Sequence, residues 1–188
     1  MLRMRVVRTY LELTLAEEAR RRARAGGAAG TTRRAAVDAA DALDVVRRTP
    51  ATAAEYRALY AAVGRAYRWQ DRDAWTDERL QRHLDDPAVT LWVLRDAGTS
   101  VGYVELVRRA DARGAVEVEL LYFGLVAEAQ GRGLGRRLLE RAIDEAWALG
   151  AGRMVLNTCT LDHPAALPNY LARGFRIVRD ESYEIAAG

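Results

Sequence analysis

Three glycines spaced by two, in Gln130-Gly131-Arg132-Gly133-Leu134-Gly135, are the residues of this chain best suited to chemistry. Val116–Leu125 before them reads as a strand and a helical pattern follows them, so the loop delivers the chain to a helix N-terminus. The first amides of a helix have no partner within it, and the helix dipole adds partial positive charge there. Glycines let those amides approach a phosphate closely, and Arg132 and Arg136 add formal charge. The combination is an anion cradle suited to a pyrophosphate. A nucleoside-triphosphate loop would need Gly-x-x-x-x-Gly-Lys-Ser/Thr, and the chain has no lysine. A dinucleotide loop would need Gly-x-Gly-x-x-Gly inside a βαβ unit, and here hairpins precede the glycines. A second group, Cys159, Asp162 and His163, invites a thiol-nucleophile reading. A nucleophile and its base converge from different elements, which residues this close in sequence do not, so a plain strand cysteine is the preferred reading.

The elements that must position these residues follow from periodicity. Alternation over 6–14 predicts a strand, 16–34 an Arg/Ala/Gly-rich frayed helix and connection, and Val45-Val46 a short strand. Thr52-Ala53-Ala54-Glu55 is a capping box opening a helix with the stripe Tyr56, Leu59, Tyr60, Val63 and Tyr67. A second helix starts at Thr76, carries Leu80 and Leu84, and stops at Asp85-Asp86-Pro87. Then the period becomes two: a hairpin over 89–94 and 101–107, and a strand over 116–125. Leu134, Leu138, Leu139, Ala142, Ile143, Ala146 and Trp147 mark the helix after the glycines, with Gly150 as its C-terminal cap. A strand over 154–160, a helix over 164–173 closed by Gly174, and a last hairpin, 175–178 with 183–185, complete a single α+β domain.

Composition narrows the function. Half of the 188 residues are hydrophobic, enough for a real core, and one cysteine excludes an internal disulfide and a multi-cysteine zinc site. The formal net charge is +3, and all 29 cations are arginine. Residues 1–48 hold eleven arginines against six acids, residues 49–188 eighteen against twenty. The basic excess therefore sits in a flank, and nucleic acid is not an expected partner. No run of about 18 apolar residues suggests a membrane span. Met1-Leu2-Arg3-Met4-Arg5 leads into alternating residues rather than an apolar signal region, so a cytoplasmic protein is expected, and the lysine-free, alanine-rich composition suggests a GC-rich bacterial source.

Gln130-Gly131-x-Gly133-x-Gly135 after a strand resembles the coenzyme A loop of GNAT-type N-acetyltransferases. Tyr170-x-x-x-Gly174-Phe175, thirty-five residues after Gly135, is similar to the second signature of that family. The order of elements over about 40–188 also resembles that fold, with 6–14 absorbed as a first strand and the signatures lying within about 89–185. The resemblance implies a three-layer α/β/α domain with a mixed, mostly antiparallel sheet whose splayed strands, one ending near Leu125 and one at 154–160, hold the coenzyme arm. It implies acetyl-CoA as co-substrate and no metal, and direct acetyl transfer to the amine of a small molecule or peptide.

On that resemblance Phe123, Leu125, Val126 and Ala127 would line the pantetheine arm, and Gln130, Gly131, Arg132, Gly133, Leu134, Gly135 and Arg136 would hold the pyrophosphate. Tyr170 would be the general acid and Glu119, on a strand face with Glu117, Leu121 and Phe123, the base. Members often carry Asn where this chain has His163, which leaves two readings: an imidazole near the coenzyme, or a bystander beside Asp162 capping the helix begun at Pro164. Asn157 is an alternative polar contact. Trp69, Asp71, Asp73 and Trp75 lie where the acceptor would bind, and aromatic faces with carboxylates suit a cationic amine; the tryptophans would equally well plug the edge of the domain. The resemblance also implies pairing of two copies through C-terminal strands. The alternatives are a non-catalytic acyl-CoA sensor of the same fold and a docking role for the Arg-rich segment.

Overall fold

The period-two stretches form one sheet. A computed structural model describes residues 3–26 and 43–186. The chain runs β1 (Arg3–Thr14), α1 (Leu15–Gly26), β2 (Leu43–Arg47), α2 (Ala53–Gly64), α3 (Asp77–Leu84), β3 (Val89–Asp96), β4 (Thr99–Ala110), β5 (Val116–Leu125), α4 (Leu134–Ala148), β6 (Arg153–Cys159), α5 (Ala166–Ala172) and β7 (Arg176–Ala186). The strand order is β2-β3-β4-β5-β6-β1-β7, antiparallel throughout except for the parallel pair β5 and β6. Part of the Arg-rich connection, 27–34, falls outside the described residues. No helix among those described is long and apolar enough to cross a membrane, and no group of three or more His, Cys, Asp or Glu among them is placed to hold a metal ion.

Two apolar cores sandwich the sheet. On one side the α4 stripe Leu138, Leu139, Ala142 and Ile143 packs on Leu11, Leu13, Val104, Leu106, Val118 and Leu156. On the other, Tyr56, Tyr60 and Val63 of α2 and Leu80 and Leu84 of α3 pack on Leu91, Val93 and Tyr103. The capping box is formed: Thr52 Oγ1 accepts from the Glu55 amide, and Glu55 accepts in return from the Thr52 amide. Such a cap satisfies two otherwise orphaned amides and fixes where α2 starts.

One expectation holds and one is corrected. Residues 3–14 form the first strand of the chain, and β1 lies inside the sheet between β6 and β7, with Arg8 opposite Cys159 on one side and Glu181 on the other. The last hairpin is one strand, β7, which pairs with β1 along its length across a single register shift. Arg179-Asp180-Glu181-Ser182 lacks the glycine, proline or asparagine that a tight turn demands, and β1 offers a continuous partner.

Candidate active site

The site grows from a mismatch between β5 and β6. They pair only over Glu117–Leu120 with Arg153–Leu156, after which β5 continues to Leu125 along β4 and β6 to Cys159 along β1. Each strand keeps one neighbour and frees its inner edge, so the sheet splays open. Val126 N–H donates to Val101 O on the β4 side at 2.9 Å. Strand alternation then turns the Leu125 N–H and C=O towards the gap, where Leu125 O accepts from Gln130 Nε2 at 3.3 Å.

A bulge sharpens the splay. Glu105 opposes Tyr122 while its neighbour Leu106 opposes Leu120, leaving Leu121 as the extra residue of β5. The extra residue breaks the two-residue alternation. Phe123 therefore turns to the α4 side, its ring centroid 5.9 Å from that of Tyr170, and Tyr122 turns to the α2 side, 5.1 Å from the Trp69 ring. Glu119 consequently does not share a face with Phe123. Its Oε2 lies 2.7 Å from Arg109 Nη2, and it is not part of the cavity wall.

That wall encloses about 900 Å³. Phe123, Leu125, Gln130, Gly131, Gly133, Leu134, Gly135, Arg136, Asn157 and His163 all reach it from the expected cofactor set. Val126, Ala127 and Arg132 do not; Arg132 Nη2 pairs with Asp96 Oδ2 at 2.8 Å and turns its charge away. Gly131 and Gly133 sit at φ +72° and +75°, the left-handed region that disfavours other residues, with open space where a side chain would go. Gly133 is also the N-cap of α4 and supplies no side-chain hydrogen bond. The first amides of α4 thus face the cavity with no side-chain cap, as donors for an anion. Gln130 Nε2 also donates to Tyr67 Oη at 2.7 Å, which ties the glycine loop to the chain leaving α2.

Tyr170, on α5, lies in the same wall, 4% exposed and between Phe123 and Phe175. Burial first, and the nearby Asp162 charge second, push its phenol well above the ordinary tyrosine value. It is therefore a protonated donor at every physiological pH. Asp162 does not cap the following helix. Its Oδ2 accepts from Thr158 Oγ1 at 2.7 Å and from the Cys159 amide at 2.8 Å, while His163 Nδ1 accepts from the Ala165 amide at 3.0 Å. Burial, the first cause, raises the Cys159 thiol pKa, the reverse of what a nucleophilic thiolate needs.

The opposite end of the cavity is built from the segment between α2 and α3. Trp69 and Asp71 line it, and Tyr122 Oη donates to Asp71 Oδ2 at 3.3 Å. Trp69 depends on Gly64, where a β-carbon would fall 2.5 Å from Trp69 Cε3. Trp75 is turned away and stacks on Arg72, whose Cζ is 3.8 Å from the ring centroid; Asp73 is likewise outside the wall. Beneath lies a buried network absent from the sequence reading, in which Glu105 Oε1 meets His83 Nε2 at 2.6 Å and Arg72 Nη2 at 3.3 Å, and Oε2 accepts from Tyr56 Oη at 2.5 Å. Glu105 is fully buried and the Arg72 side chain 7% exposed. Removing one partner of such a pair leaves a buried uncompensated charge. Arg72→Ala is expected to cost about 3 kcal/mol in urea denaturation; a loss below about 1 kcal/mol would show that His83 and Tyr56 satisfy Glu105 alone.

A sheet split between two parallel strands, with an uncapped helix N-terminus at the mouth of the split, has the shape and the donors to receive an extended ligand that carries an anionic group. The sequence model of the acetyltransferase (GNAT) family matches residues 56–175, well over half of the chain, and the chain belongs to that family of acyltransferases. Over 106 residues it is 34% identical to the N-alpha-acetyltransferase RimI of Mycobacterium tuberculosis, an alignment that takes in 56% of this chain and 64% of the length of that relative. The fold is similar to an aminoglycoside acetyltransferase from an uncultured soil metagenomic sample, solved with trehalose (TM-score 0.59, 14% identity, 71% of this chain and 88% of that one). It is also similar to an aminoglycoside N-acetyltransferase, AAC(6')-Iy, solved in complex with CoA (TM-score 0.55, 15% identity, 74% and 91%). At these identities the solved structures show the fold alone.

Proposed function

We propose that the protein transfers the acetyl group of acetyl-CoA to the α-amine of a peptide N-terminus, by direct attack within one cavity. The observation that carries this reading is the single wall joining three parts: the uncapped N-terminus of α4 on one sheet face, Asp71 with Tyr122 on the other, and Tyr170 at the gap between them. The resemblance to the RimI relative supports a peptide amine, and the cavity continues past the gap to Ile185 and Ala186 on β7, giving room for residues beyond the amine.

The α4 amides and Gly131–Arg136 would hold the pyrophosphate, and the free inner edges of Phe123–Leu125 and Asn157 the arm. When bound, acetyl-CoA supplies a thioester whose carbonyl carbon takes the amine nitrogen as the carbon–sulfur bond breaks. The Leu125 N–H, turned into the gap, is the donor available to the developing oxyanion. Tyr170 donates towards the departing sulfur, its phenol kept protonated by burial. Asp71, exposed on the α2 side, draws in the ammonium and passes its proton to water, so that the nitrogen attacks neutral. The base role falls to this open end of the cavity, because Glu119 is held by Arg109 outside it.

The test is thiol release from acetyl-CoA with short peptides, an aminoglycoside and a polyamine as acceptors. Turnover confined to peptides with a free N-terminus is expected. Acetyl-CoA binding without turnover of any amine would favour a sensor domain, and preference for the aminoglycoside would overturn the peptide reading.

A further inference from the structure

The cavity contains a cation that neither the cofactor nor Tyr170 uses. Arg8, on β1, lines it on the side opposite Asp71. Its Nη2 donates to Tyr183 Oη at 3.3 Å and its Cζ stands 5.2 Å from the Tyr183 ring centroid, while its Nε is buried with no hydrogen-bond partner. Among the described residues no carboxylate lies within ion-pair distance of it. The acid opposite it on β7 and the acid that follows β6 are both engaged elsewhere. Glu181, opposite Arg8 in the β1–β7 register, accepts from Tyr10 Oη at 2.9 Å and from Arg179 at 3.4 Å. Asp162 is taken by Thr158 and the Cys159 amide. A half-buried guanidinium that faces a large cavity with no carboxylate in contact, feeling Glu181 only at longer range, can take an anion.

The sheet decides whose anion. Leu11 and Leu13 of β1 point into the core beneath α4, so by strand alternation Arg8 points to the other face. That face carries Asp71 and Tyr122, not the glycine loop, which places Arg8 with the acceptor and away from the phosphates of the cofactor. Both β1 and β7 lie outside residues 56–175, the span matched by the family model.

We infer that Arg8, braced by Tyr183, binds a side-chain carboxylate close behind the reacting amine, so that the acceptor is a peptide N-terminus followed by Asp or Glu. Asp71 takes the ammonium and Arg8 the acid, and the two charges set the direction of the peptide across the gap. The inference rests on the peptide reading above and adds its sequence preference. The fork of Arg8 offers two parallel donors to a carboxylate, and a polycationic acceptor would meet it unfavourably.

Three peptides identical except for Glu, Gln or Lys at the second residue test it. Binding to the protein is followed by fluorescence anisotropy and turnover by thiol release, alongside the variants Arg8→Gln, Arg8→Glu and Tyr183→Phe. A charge-assisted hydrogen-bonded pair corresponds to about a tenfold to hundredfold preference for the Glu peptide over the Gln peptide, in both binding and kcat/KM. Arg8→Gln is expected to erase the preference and Arg8→Glu to turn it towards Lys, with the acetyl-CoA affinity unchanged. If Arg8→Glu fails to fold, Arg8→Gln, whose circular dichroism and melting should match the parent, carries the test. Equal use of the Glu and Gln peptides, or a preference that survives in Arg8→Gln, overturns the inference and leaves the peptide reading standing. Turnover of other amines but of none of the three peptides overturns both.

Discussion

Replacing Tyr170 with phenylalanine lowers kcat by about a hundredfold or more, the usual worth of a placed proton donor, and leaves acetyl-CoA affinity as it was. Phenylalanine keeps the ring between Phe123 and Phe175, so packing is preserved and only the hydroxyl is lost. The pH dependence separates a donor from a packing residue. Burial holds the Tyr170 pKa above its ordinary value, so the group is fully protonated below that value and its donation fails only as pH rises through the shifted one. The alkaline limb of the parent kcat profile should therefore lie above about pH 10, the unperturbed phenol value. An alkaline limb set by Tyr170 near pH 8, or a Tyr170→Phe variant with parental kcat, would show that the tyrosine only fills the wall.

The second large effect is on the cradle. Gly133→Glu is expected to weaken acetyl-CoA binding by about a hundredfold or more in calorimetric titration, from two costs of different origin. The backbone stands at φ +75°, where any side chain costs about 1 kcal/mol. The carboxylate is also carried into the space over the uncapped amides of α4, where it opposes the phosphates directly. Gly133→Ala, which carries the first cost without the second, should lose only about tenfold. The gap between the two variants measures the anion-binding part alone. Equal affinity in the parent and in Gly133→Glu would mean that the loop turns the chain and holds no phosphate.

What could be read in the sequence is what local forces decide. The α4 stripe, the capping box at Thr52 and the left-handed glycines follow from helix periodicity, side-chain hydrogen bonding and backbone sterics within a few residues of each position, and all are found in place. The misread residues depend on strand neighbours far away in the chain. The single extra residue at Leu121 reverses the facing of everything beyond it, which separates Glu119 from Phe123 and brings Tyr122 to the acceptor side. Nothing in Val116–Leu125 alone marks the bulge, since each residue is compatible with either face. Arg8 was legible only as the polar side of an alternating strand. Its place in the cavity comes from the insertion of β1 between β6 and β7, a pairing across some 150 residues of chain, as in Arg8 with Cys159. The same holds for Trp69 and Trp75, seven positions of mixed character in which the close approach at Gly64 holds one ring against the cavity wall and Arg72 draws the other out of it.

The most direct test of the account follows both products of one reaction. Purified protein, acetyl-CoA in limited amount and a peptide with a free N-terminus and Glu at its second residue are mixed, and thiol is counted while the peptide is weighed by intact mass and sequenced by fragmentation. The account predicts one thiol released for each acetyl group gained, all of it on the α-nitrogen. Acetyl-CoA that binds and stays intact, or thiol released with the peptide unchanged, would contradict it.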